Sequence, residues 1–150
     1  MITTMFRTIF ASIWIGLIIG LSFIETPLKF TAPGITTELG LGIGRIVFIA
    51  ANIAGFVLLS ILTILAVVGP QLKMRGIWTT VLLWATLATQ SLIIRPMLAE
   101  RSDIIIAGGD PGPSSLHWLY IVADLLVLAL LCLYILFTYQ TQKSNNLARQ

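Results

Sequence analysis

Charged side chains are scarce in this chain of 150 residues, where only 10% are Asp, Glu, Lys or Arg. Ionisable groups nevertheless sit within or at the ends of long apolar stretches: Glu25, Arg45, Arg95, His117 and Asp124. A charge at hydrocarbon depth is expensive and has to be neutral, paired or hydrated. His117 and Asp124 stand two turns apart on one helix face, about 10 Å along its axis, with Tyr120 and Ile121 between them. Asn52, Gln90 and Ser91 add neutral polar groups further inward. Converging between helices, this set would form a polar mouth able to hold an ion, a proton or a small polar ligand. The competing reading is that the same groups only pin helices together. Asp124 is the strongest single candidate, with Arg45 and Arg95 as its expected partners and Glu25 taking the other arginine.

Enzyme chemistry finds little support. One histidine cannot build a His-rich metal site within one chain, and one cysteine, Cys132, excludes an internal disulfide framework. Cys132 reads as a small buried hydrophobe. No glycine-rich phosphate loop, HExxH or GxSxG pattern is present. Ser115 beside His117 is a helix cap rather than a nucleophile. We therefore expect no catalytic residues, no metal and no cofactor. Haem stays open as a minor alternative, because a dimer could pair His117 with its copy and Met can serve as an axial ligand.

The elements that must position these groups follow from composition. The chain is 57% hydrophobic with a mean hydropathy of +0.98, whereas soluble domains carry roughly 25% charged residues. Too little polar material remains to cover a soluble core, and lipid removes that need. The expected fold is all-α: one membrane domain over 1–150, a bundle of transmembrane helices in antiparallel up-down order. The four spans are expected at Phe6–Glu25, Gly42–Val68, Ile77–Arg95 and Ser115–Tyr139, each near the about 20 residues that cross a core of about 30 Å. Residues 140–150 would form a tail. Arg7 ahead of the apolar run Ile9–Ile24 looks like a signal sequence, but the run is long and no A-x-A site follows, so it reads as a retained anchor.

Prolines set the expected breaks, since they lack an N–H and clash with the preceding turn. Pro27 and Pro33-Gly34 follow the first helix, Gly69-Pro70 the second and Arg95-Pro96 the third. The short link after Val68 predicts a helical hairpin. Ser114 or Ser115 would cap the last helix. The stretch from Pro96 to Ser114 is expected as the long connection, although Ile104-Ile105-Ile106 is too apolar for a freely solvated loop.

With four crossings, one side carries Arg7, Lys73, Arg75, Lys143 and Arg149, and the other Lys29, Arg45, Arg95 and Arg101 among the acidic residues outside the membrane. Because Lys and Arg set orientation, both termini are expected in the cytoplasm, in a bacterial inner membrane. The basic pI of about 9.4 follows from that bias; no aromatic-basic surface points to nucleic acid. Helices in lipid associate through small residues, and Gly16-x-x-x-Gly20 and Ala51-x-x-x-Gly55 mark expected contact faces, within the bundle or, for Gly16 and Gly20, in a homodimer. Trp14, Trp78, Trp118 and Tyr139 are expected in interfacial belts.

Motifs in the same order resemble a family. Ser22-Phe23-Ile24-Glu25-Thr26-Pro27-Leu28-Lys29-Phe30 follows a glycine-containing first helix, Gly42-x-Gly44-Arg45-x-Val47-Phe48 opens the second, Arg95-Pro96 follows the third, and Ser115-Leu116-His117-x-Leu119-Tyr120 leads into the fourth. Together they resemble a bacterial domain-of-unknown-function family related to eukaryotic transmembrane protein 205. The resemblance implies a four-helix membrane fold and no settled biochemical activity, and it singles out Pro27, Arg95, Pro96 and His117. The leading expectation is a non-enzymatic membrane protein that binds or moves a small solute or ion. The alternatives are an accessory subunit of a larger membrane complex and a haem-binding membrane protein.

Overall fold

Continuous helix is the only backbone state that satisfies its own N–H and C=O groups across lipid without a closed barrel, and the apolar stretches of this chain adopt it. The computed structural model describes residues 2–147, with no strand among them. In chain order, α1 is Ile2–Ile18, followed by a π-helical turn Ile19–Glu25 and α2, Thr26–Lys29. Then come α3 (Thr37–Val68), α4 (Met74–Thr89), a second π turn (Gln90–Ile94), α5 (Arg95–Ile106) and α6 (Leu116–Leu147). Four of the resulting continuous helices are long and apolar enough to cross a membrane: Ile2–Lys29, Thr37–Val68, Met74–Ile106 and Leu116–Ser144. Their outward faces are apolar: Ile13, Ile46, Ile53, Leu92, Val122 and Leu126 are all exposed. That surface suits lipid and not water.

The core runs along the bundle axis. Ala11, Trp14 and Ile18 of α1 pack with Leu58, Leu59 and Leu62 of α3, Leu83 and Leu87 of α4, and Val127, Leu131 and Tyr134 of α6. Hydrogen bonds join the spans across the bundle. Arg7 reaches Leu65 and Pro70, Trp84 donates to Thr63, Ser91 to Asn52, and Gln90 to Asp124. Gly55 lets the Trp14 ring and Leu87 approach the α3 backbone; a Cβ there would lie 3.3 Å from the ring.

Two expected breaks are not breaks. The first and third spans run through Pro27 and Pro96 because a π turn precedes each. Thr26 N–H bonds to Leu21 O and Arg95 N–H to Gln90 O, each five residues back. The widened turn moves backbone away from the proline ring, and the proline then occupies the first turn of the next helix, where its missing N–H costs nothing. The third span accordingly reaches Ile106, which accounts for the apolar run Ile104–Ile106 as helix. It ends in a Schellman closure: Gly109 N–H bonds to Ile104 O and Gly108 N–H to Ile105 O, with Gly108 at φ +81°, a conformation glycine adopts without strain. α3 starts at Thr37 rather than Gly42, capped by the Thr36 hydroxyl accepting from Leu39 N–H. Ser114 Oγ accepts from Leu116 N–H at the start of α6. α6 continues to Leu147, so most of the expected tail is helix; Arg149 lies outside the described residues.

Other expectations shift in burial. Trp14 is buried in the core rather than at an interface, whereas Trp78, Trp118 and Tyr139 are exposed. Cys132 is exposed rather than buried. Gly16 and Gly20 meet nothing within 4 Å, so the first glycine pair packs against no helix of this chain.

Candidate functional site

The polar groups gather at one end of the bundle, in two cavities rather than one. The outer cavity has a volume of about 150 Å³ and is lined by the end of the first span, the start of α3, α5 and the start of α6. Lys29, Arg45, Arg95 and His117 bring positive or protonatable groups to it, and Phe30, Leu41, Phe48 and Leu98 supply apolar wall. No Asp or Glu is among the lining residues. Glycines make the room. A Cβ on Gly40 would run into the Phe30 ring, and one on Gly44 would lie 2.8 Å from Lys29 Nζ.

The cations of this mouth differ in how far they are committed. Lys29 Nζ stands 3.5 Å from Glu25 one turn before it and lies over the rings of Phe30 and Phe48, 5.5 and 5.7 Å from their centroids. Arg45 pairs with Asp103 at 2.7 Å and donates to Ala99 O at 3.1 Å. Arg95 makes no ion pair with any described residue and points its half-buried side chain to the same lining. His117 is exposed at the rim. Thus the expected pairings are replaced. Glu25 takes Lys29 rather than an arginine, and Arg45 takes Asp103, because the extended α5 carries Asp103 to the start of α3.

Asp124 is not part of the mouth. It lies in an inner cavity of about 30 Å³ lined by Trp14, Ser22, Asn52, Gln90, Tyr120 and Val127, among others. Gln90 Nε2 donates to its Oδ1 at 2.7 Å. Neither Arg45 nor Arg95 bonds to it. Oδ2 is buried without a hydrogen-bond partner. Beside it, Ser91 Oγ donates to Asn52 Oδ1 at 2.7 Å and Ala51 adds a small wall residue. Tyr120 lines both cavities, and its ring meets Phe48 edge-on, 5.2 Å between centroids at 65°. Ser22 and Gln90 both come from the π turns, so the widened turns face each other across this site. Among the described residues no group of three metal-ligating side chains forms.

Residues that the sequence reading did not assign to the site are Lys29, Ser22 and Arg7. Lys29 entered only the orientation count and, with Ser22, the motif that resembles a family. The π turn is what faces Ser22 inward. Arg7, at the opposite end, is 1% exposed and donates to Leu65 O at 2.7 and 3.2 Å and to Pro70 O at 2.9 Å. It sits at the C-terminal end of α3, where the helix dipole favours a cation, adding to the bond that Leu65 O already accepts from Gly69 N–H and meeting Pro70 O beyond the helix. A basic residue one turn before an apolar run, and a Gly-Pro helix end, were the available signals.

Four helices long and apolar enough to cross a membrane define the class: a multi-pass membrane protein. No family model, no curated protein and no solved structure matches this chain.

Proposed function

We propose that this protein is a non-enzymatic membrane protein that binds a small organic anion with an apolar body at the outer mouth, as a step in holding or moving that solute. It would sit in a bacterial inner membrane with both termini in the cytoplasm. The observation that carries the reading is the lining of the 150 Å³ cavity, in which Lys29, Arg45, Arg95 and His117 face apolar walls with no carboxylate among them. Drug-sized ligands need roughly 300–1,000 Å³, so the solute is small. Arg95, without an ion pair to a described residue, is the group best placed to receive a carboxylate, and a guanidinium suits its two oxygens.

Titrating the protein in nanodiscs with butanoate and with its neutral isostere butanamide tests this. The expected result is binding of butanoate but not butanamide, weakened at least about tenfold (~1.4 kcal/mol) by Arg95→Gln. Equal binding of the amide, or an unchanged Arg95→Gln protein, refutes the reading. The subunit alternative takes its support from Gly16 and Gly20, which present a bare helix face outward, the geometry that lets two helices approach closely. A gentle detergent extract that yields the chain only within a larger assembly would favour it.

A further inference from the structure

We propose that the inner cavity is a proton-binding site, in which Asp124 exchanges a proton with water held in that cavity. The proposal does not depend on the anion reading, because it concerns a separate cavity and its test uses no solute.

A carboxyl in this position needs a second partner. Asp124 is 5% exposed and receives one hydrogen bond, from Gln90. Its other oxygen has none. Ser22 lines the same cavity. The groups facing it are neutral on every packed element: Trp14 and Ser22 from the first span, Asn52 from α3, Gln90 from the third span, and Tyr120 on its own helix. Arg95 and His117 line the outer cavity instead. No fixed positive charge is therefore available to hold an ionised carboxylate, and a mobile one must serve. A metal cation would want several oxygen ligands around it, and Gln90 offers its amide N–H₂ to the carboxylate instead. A proton needs only one oxygen and a water to carry it.

The cavity has room for that water. About 30 Å³ accommodates one or two water molecules, which require some 10–15 Å³ each and two to four polar partners; Oδ2, Ser22, Asn52 and Gln90 supply those. The balance is simple: a hydronium gives its proton to the carboxylate oxygen, leaving water and a neutral acid, and the reverse step returns it. Below the carboxyl, Leu83 and Leu131 are fully buried and Trp14, Val127 and Leu87 nearly so. Above it, Tyr120 alone is shared by both cavities.

Infrared difference spectra of the protein in lipid nanodiscs, between acid and alkaline buffer, read the carboxyl directly. The expected result is a carboxylic-acid C=O band that shifts in D₂O, is lost in Asp124→Asn, is displaced but retained in Asp124→Glu, and persists in Glu25→Gln. A wild-type spectrum in which no such band titrates overturns the proposal, as does a band that survives Asp124→Asn. Should Asp124→Asn not fold, the unmoved band of Asp124→Glu gives the same refutation. Loss of butanoate binding with this band intact would overturn the mouth reading alone.

Discussion

Replacing Arg7 by methionine removes the latch at the far end of the bundle while keeping most of the apolar stem. The guanidinium serves two backbone carbonyls, Leu65 O and Pro70 O, at distances from 2.7 to 3.2 Å. Charge-assisted hydrogen bonds contribute about 1.5–3 kcal/mol each, so two acceptors set an upper range of about 3–6 kcal/mol. Polar contacts within membranes fall well below that ceiling, because the unfolded chain also finds partners there. An expected loss of about 2–4 kcal/mol follows. Arg7→Lys keeps the charge but offers one ammonium in place of the planar fork, and should lose about half as much. Unfolding by SDS in mixed micelles, followed by the fluorescence of the buried Trp14, measures both. Arg7→Met within about 0.5 kcal/mol of the parent would refute the argument, since the bonds from the guanidinium to Leu65 O and Pro70 O would then add nothing to the fold.

Gly55→Leu drives a side chain into the Trp14 ring, 3.3 Å from the position of its first carbon, and should cost about 1–3 kcal/mol in the same unfolding assay. Asp103→Asn breaks an ion pair whose side chains are 37% and 59% exposed; stability should change by less than about 1 kcal/mol, with the small difference vanishing in high salt. Gly16→Leu and Gly20→Leu enter open space and should leave monomer stability unchanged, so any loss of a crosslinked dimer would report association directly.

Four spans were legible because length and hydropathy alone decide whether a segment suits hydrocarbon. The Gly69-Pro70 break was legible for a related reason: α3 ends at Val68 and its last carbonyls are met from outside. Pro27 and Pro96 misled because the rule that proline ends a helix assumes bonds to the fourth residue back, and a bond to the fifth removes the clash. The residue types at this end of the bundle were legible, while their division between two cavities and their choice of partners were not. Asp103 reaches Arg45 only because α5 is helix, and Asp124 is separated from every arginine by Tyr120 and by depth. Gly16 and Gly20 share the spacing of Ala51 and Gly55, yet only the α3 pair faces this chain's own core, since spacing fixes a face and not its direction.

The widened turns also reset the rhythm of the helices that contain them. Inward positions of α1 fall at Thr4, Arg7, Ala11, Trp14 and Ile18, by alternate steps of three and four. Continued unbroken, that beat would select Leu21, Glu25 and Leu28. The cavities are lined instead by Ser22, Thr26 and Lys29, each one place late. The third span slips alike: Gly76, Thr80, Leu83, Leu87, Gln90 and Ile94 would lead to Met97 and Arg101, but Leu98 and Ser102 line the mouth. One surplus residue turns everything beyond it by about 100°. Without the slip, Leu28 would occupy the place of Lys29 and the mouth would lose a cation, so the charge of that opening is set by an insertion count made deep within the bundle.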